Sequence, residues 1–122
     1  MSPVTQKHDF GCGAACVAML AGVSYDRVAL RAAPHDFNED GLQALELHSL
    51  LRKFGIRSAR RLSSLAGSRP HRALAGQRAI IRVNNRQKAK AWHWVVWDGV
   101  QVVDPARKPY QRYRYHSYLR LL

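Results

Sequence analysis

The stretch TQKHDFGCGAACVAML, Thr5 to Leu20, places a cysteine between two glycines where small and apolar residues begin to repeat at helical spacing. Cys12 therefore stands at a helix start. Unpaired N–H groups and the helix dipole favour a thiolate at that position. Gly11 and Gly13 carry no side chain, so a substrate backbone could approach the sulfur closely. On this stretch alone, Cys12 reads as a nucleophile, a redox thiol, half of a metal site or a small buried residue. Cys16 lies one helical turn deeper on the same side and reads as core.

A cysteine nucleophile needs a base held in one tautomer. Of the six histidines, His93 is singled out by its place in the Trp/Val run WHWVVWDGVQVVDP. A two-residue turn at Asp98-Gly99 puts positions 93 and 104 opposite each other across a hairpin. Cross-strand partners lie about 5 Å apart, so Asp104 could hydrogen-bond the imidazole. His8, His35, His48, His71 and His116 have no such partner in the pattern and read as surface or loop residues. Gln6, on an extended segment ahead of the helix, could offer an amide N–H to an oxyanion, with the Cys12 backbone N–H as second donor.

These residues need elements to hold them. A first helix is expected from Gly11 to a stop at Gly22. A second runs from an N-cap at Ser24 to Ala33, with Pro34 as terminator. LQALELHSLLRKFG repeats leucines at helical spacing, Leu42, Leu45, Leu47, Leu50 and Leu51, and ends at Gly55. The second half changes period. GIRSARRL reads as a short strand, the 63–77 stretch as a mixed loop with a short helix, and RAIIRVN as a strand with Asn84-Asn85 as a turn. The Trp/Val hairpin follows, and YQRYRYHSYLRLL reads as a last strand. Helices first and an antiparallel sheet afterwards imply an α+β fold. The cleft is expected to draw on loops 34–41 and 62–78.

With 122 residues, one domain over 1–122 is expected, and 47% apolar residues suffice for a core. Two cysteines four apart cannot staple distant segments, which excludes a disulfide scaffold and fits a reducing cytoplasm. No apolar run is long enough to span a membrane, and the N-terminus has no signal-peptide pattern. The formal net charge of +12, from 20 Lys and Arg against 8 Asp and Glu, favours a polyanionic partner: nucleic acid, an anionic membrane or an acidic peptide. Interleaved Arg and Tyr in YQRYRYH could stack on bases or form a solvated edge strand. No cofactor is implied, and Cys12, Cys16 and His93 make a weak zinc set, because a Cys-x3-Cys pair lacks a second pair.

Gln-x5-Cys-Gly-Ala-Ala, then CVAML, then HWVV, then VVDP, closely resembles the papain-like cysteine peptidases that remove double-glycine leaders from bacteriocins. GLQALELHSLLRKFGI and RALAGQRAIIRVN resemble further elements of that family, so the resemblance covers most of the chain. It implies a papain-like fold, with the nucleophile at the start of the first helix and the helices packed on a C-terminal antiparallel sheet. It implies Cys12 as nucleophile, His93 as general base and acid, Asp104 as its orienter and Gln6 as oxyanion donor. It also implies cleavage after small or Gly residues of a peptide or protein substrate, with an acidic leader helix suiting the basic surface. Family members are often the N-terminal domain of an ABC transporter. Here the chain ends just after the sheet, and Gly11 replaces the acidic or polar residue that often precedes the family's cysteine.

Two further readings follow. A papain-fold toxin or effector, delivered into a target cell, would use the same residues on RNA or a protein target, with an immunity protein as partner. A non-catalytic binding module would retain Cys12 and His93 for packing.

Overall fold

A helix built from Cys, Gly, Ala, Val, Met and Leu has no polar face to offer water, so it must be buried all round. The computed structural model describes residues 1–85, 88–109 and 112–122. In it that run forms α1 (Cys12–Ala21), buried at every position from Cys12 to Leu20. Gly22 stops it with a left-handed φ of 68° and returns its N–H to the Ala18 carbonyl. α2 (Tyr25–Ala32) starts on Ser24, whose hydroxyl accepts the Arg27 N–H at 3.2 Å. It turns Tyr25 and Val28 inward and ends one residue before the expected Ala33. α3 (Ala44–Lys53) opens with the Glu46 carboxylate accepting the Gln43 N–H at 2.9 Å. Leu47, Leu50 and Leu51 form its buried stripe and Leu42 joins them from the preceding loop. Leu45 falls outside that stripe and is 54% exposed.

The second half forms an antiparallel sheet of β1 (Ser63–Ser64), β2 (Ala79–Asn85), β3 (Lys88–Trp97), β4 (Val102–Val103) and β5 (Tyr113–Arg120), in the order β1-β5-β2-β3-β4. A single helical turn, α4 (Pro70–Ala73), lies between β1 and β2. The strands alternate between two cores. Ile80, Trp94, Val96 and Leu119 pack with α1, α2 and α3. Ile81, Val83, Val95 and Trp97 pack with Leu65 and Leu74. Trp94 and Trp97 belong to opposite cores, and each donates its indole N–H to a carbonyl at 2.8 Å, of Leu42 and Leu74 respectively. A buried Trp removes roughly 150–250 Å² from water, an upper figure of roughly 4–6 kcal/mol each, with no buried indole N–H left unmatched.

Helices followed by an antiparallel sheet make the chain α+β, as its periodicity implies. Three local expectations are corrected. GIRSARRL is not a strand: Ser58 alone makes a bridge, to Leu121, because a segment carrying Arg57, Arg60 and Arg61 has no apolar alternation to bury. Asn84-Asn85 is not the turn, since β2 continues through Asn85, which pairs with Lys88 after a register shift. β5 is not an edge strand: β2 flanks it along its length and β1 pairs on its other side at Ser117 and Tyr118. Tyr110 and Gln111 of YQRYRYH lie outside the described residues. Among the described residues, no single helix is long and apolar enough to cross a membrane.

Candidate active site

The Trp/Val hairpin delivers the imidazole. His93 lies on β3 opposite Val83 of β2 and is only 7% exposed. β4 pairs with β3 for two residues only, Val103 with Val96 and Val102 with Trp97. The loop is therefore four residues, Asp98 to Gln101, and not the two-residue Asp98-Gly99 turn. The Asp98 carboxylate closes it by accepting the N–H groups of Val100 and Gln101, each at 2.8 Å. This shifts the register by two, so Asp104 is not directly opposite His93. A two-residue shift keeps the same face, and a diagonal neighbour is still within reach. Asp104 Oδ1 accepts from His93 Nε2 at 2.7 Å.

Two more donors hold the Asp104 carboxylate. The Tyr113 hydroxyl donates to Oδ2 at 2.5 Å, and the Ala106 N–H donates to Oδ1 at 2.8 Å. Tyr113 escaped the sequence reading. It sits at the start of β5, which neighbours β2 and not β3 or β4, so its contact with Asp104 crosses the sheet and has no signal in local spacing.

Nε2 is engaged by Asp104, and Cys12 lies close enough to the imidazole to bear on its charge. Burial works against charge on His93. The Asp104 and Cys12 hydrogen bonds, with the negative charge of both groups, outweigh it and lift the pKa to about 9. Burial pushes Asp104 up, but the His93 hydrogen bond and charge, the Tyr113 hydroxyl and the Ala106 N–H hold it below its ordinary value. Asp104 and His93 are thus hydrogen-bonded, and Cys12 and His93 line the same cleft.

Cys12 is reached by the N-terminus of α1. Gly11 supplies no side-chain cap, and no acidic residue stands in the first turn, so no carboxylate of α1 offsets the positive end of its dipole beside the sulfur. The two flanking glycines have an internal packing reason. A Cβ on Gly11 would sit 2.0 Å from the Tyr25 hydroxyl, and one on Gly13 would sit 3.1 Å from Leu47 Cδ2. Tyr25 takes the volume a side chain at position 11 would need, and His8 Nδ1 holds its hydroxyl at 2.8 Å. Cys16 is fully buried in the core, and burial pushes its thiol well up.

Gln6 is buried, at 8% exposure. Its backbone N–H bonds the Pro105 carbonyl at 2.8 Å, next to Asp104. Its amide nitrogen donates to the carbonyls of His8 at 3.0 Å and Asp9 at 3.1 Å. Both amide hydrogens are thus engaged in holding the turn before Cys12. Oε1 is buried without a hydrogen-bond partner. An oxyanion role for this amide requires one of the turn bonds to open.

A cleft of about 410 Å³ opens over Cys12 and His93. Asp9, Phe10, residues 40–43, Arg82, Trp92 and Trp94 line it with them. Of the two loops expected to line it, 34–41 contributes Asp40 and Gly41, whereas 62–78 contributes no lining residue. A larger hollow of about 590 Å³ lies at the other end of α1 between Met1, Val4, Val23 and Val100. Its titratable side chains are Arg78 and Asp98. Among the described residues, no three His, Cys, Asp or Glu side chains converge as a metal site requires.

Of the other histidines, His71 and His116 are exposed, as their positions suggest, and three are more engaged. His35 Nε2 meets the Asp40 carbonyl at 2.9 Å, and His48 Nδ1 meets the Ser58 hydroxyl at 3.0 Å. Both are half-buried, as is His8. No family model matches the chain, and no curated protein matches it.

Proposed function

We propose that the chain is a papain-like cysteine peptidase that hydrolyses a peptide bond through an acyl-enzyme, on the carboxyl side of a small residue or glycine. The observation that carries this reading is the Asp104–His93 hydrogen bond beside Cys12, with Cys12 and His93 lining one open cleft. The order nucleophile helix, base strand, carboxylate after the hairpin supports a papain-like arrangement, as does the resemblance to double-glycine leader peptidases.

Each residue has a derivable part. The raised pKa of His93 favours the ion pair in which the proton of the Cys12 thiol sits on the ring, and Asp104 on Nε2 fixes the orientation of the imidazolium and stabilises it. The Cys12 sulfur adds to the scissile carbonyl carbon. The oxyanion forms beside the Cys12 backbone N–H, with the Gln6 amide as second donor once a turn bond opens. The imidazolium returns its proton to the leaving amine, and the C–N bond breaks. Water, deprotonated by His93, then cleaves the thioester. Cys12, which lines the cleft, is only 8% exposed, which suits a residue with little or no side chain next to the scissile bond.

Mass spectrometry of leader-like peptides with an internal Gly-Gly, incubated with the protein and with Cys12→Ala, tests this. Cleavage after Gly-Gly by the former and not the latter is expected. Equal cleavage by both, or by neither, overturns the peptidase reading. The net charge of +12 favours a second reading, a papain-fold effector acting on RNA. Salt-dependent RNA degradation that is lost in Cys12→Ala would establish it instead.

A further inference from the structure

We propose that Arg82, stacked on Trp92 in the wall of the cleft, is a specificity residue that takes a carboxylate of the substrate. The inference rests on the reading of Cys12 as an acyl-transferring thiol and names the chemistry of what that thiol is offered. Arg82 lies on β2 in register with Trp94 of β3 and Ser117 of β5. Its guanidinium carbon sits 4.0 Å from the centre of the Trp92 ring. Trp92 is itself held edge-on by His116, with ring centres 4.9 Å apart. Both Arg82 and Trp92 line the cleft over Cys12 and His93.

The stack does not serve to bury the indole, because Trp92 remains 45% exposed. Nor is the cation neutralised internally. Among the described residues, Arg82 has no ion pair and no hydrogen-bond acceptor, while Lys7 and Arg107 pair with Asp26 and Asp9. A guanidinium fixed in plane by an aromatic face keeps its N–H fork free for a planar anion, and loses little side-chain entropy on binding one. A carboxylate matches that fork, and charge-assisted bidentate pairs are the strong ones. Asp9 and Asp40 also line the cleft, and Asp9 is already paired with Arg107.

The carboxylate has two possible sources, an acidic side chain or the end of a chain. Alkylation of Cys12 separates them without requiring any hydrolysis. The probes are N-iodoacetylglycine, whose carboxylate is a chain end, and N-iodoacetylglutamic acid α-amide, whose carboxylate is a side chain. The uncharged amide of each is the reference. At least one acid should alkylate about tenfold faster than its amide, equivalent to about 1.4 kcal/mol. Arg82→Gln should abolish the ratio and Arg82→Glu should invert it, an outcome a misfolded protein cannot give. Arg31→Gln, on the exposed side of α2, controls for net charge and should leave the ratio intact. Acid-to-amide ratios near one for both probes, or a ratio unchanged in Arg82→Glu, overturn the proposal. If the ratio behaves as stated while no peptide is cleaved, the peptidase reading falls and the carboxylate site stands.

Discussion

Asp104→Asn isolates what keeps the imidazole charged. The change keeps the size of the side chain but removes its negative charge. The His93 pKa is lifted from 6.5 to about 9 against the pull of burial. At about 1.4 kcal/mol per pH unit, the lift amounts to about 3 kcal/mol, shared between Asp104 and Cys12. A folded pKa above the unfolded one means that this stabilisation is complete below about pH 6.5 and is lost as the pH rises through about 9. For Asp104, whose pKa is lowered in the fold, stability is present above its ordinary value of 3.8 and is lost as pH falls through the depressed value. In the Asn variant, burial opposes the imidazolium with only Cys12 left to support it. The midpoint of His93 should fall by at least one unit, about 1.4 kcal/mol. Long-range ¹H–¹⁵N NMR across the titration reads the ring directly. The parallel unfolding series should lose most of its decline between about pH 6.5 and about pH 9. A midpoint that stays near 9 in Asp104→Asn, or one near 6.5 in the parent, would refute the reasoning that the carboxylate governs the ring.

Tyr113→Phe removes one donor to the Asp104 carboxylate and leaves the ring beside Tyr115, at a centre-to-centre distance of 5.9 Å. The Asp104 carboxyl should titrate higher than in the parent, followed by its ¹³C resonance; an unmoved resonance would assign the contact to packing alone. Gly11→Ala should cost about 2–3 kcal/mol by denaturant unfolding, because its Cβ collides with the Tyr25 hydroxyl. Tyr25→Phe in the same chain should recover much of that, and strictly additive losses would discount the collision. Gln6→Ala should lower kcat on a cleaved peptide about a hundredfold with KM little changed if the amide reaches the oxyanion; a fall in melting temperature alone would restrict Gln6 to holding the turn.

What could be read from the sequence was local. α1 announced itself through a run with no polar face, and the Ser24 cap and Gly22 stop are chemical signals that a neighbourhood of four residues contains. His93 and Asp104 were legible together because both sit within one hairpin. The turn itself was misjudged: the Asp98 side chain, accepting two N–H groups, stabilises a four-residue loop where Asp-Gly alone suggests two. The pairing survived since the error was even, and strands return each residue to its face every second position. Other features needed the assembled sheet. Tyr113 meets Asp104 only because β5 inserts between β1 and β2. The role of Gly11 depends on a tyrosine in the next helix, and the engagement of the Gln6 amide depends on carbonyl directions in an irregular turn. Neither carbonyl direction nor sheet order has a counterpart in residue spacing.

The bond from the Gln6 N–H to the Pro105 carbonyl joins the first turn before the nucleophile to the residue after Asp104, and the Asp9–Arg107 ion pair repeats the junction at 3.2 Å. During synthesis Cys12 emerges before His93 and Asp104, and Tyr113 after them. A domain made from its N-terminus onward therefore carries a thiol with no imidazole beside it, and then an Asp104 carboxylate without its Tyr113 donor, until residue 113 has been made. On the proposed reading, assembly of the Cys12 site is coupled to formation of β5, and a nascent chain that has not reached β5 lacks the bond that holds Asp104.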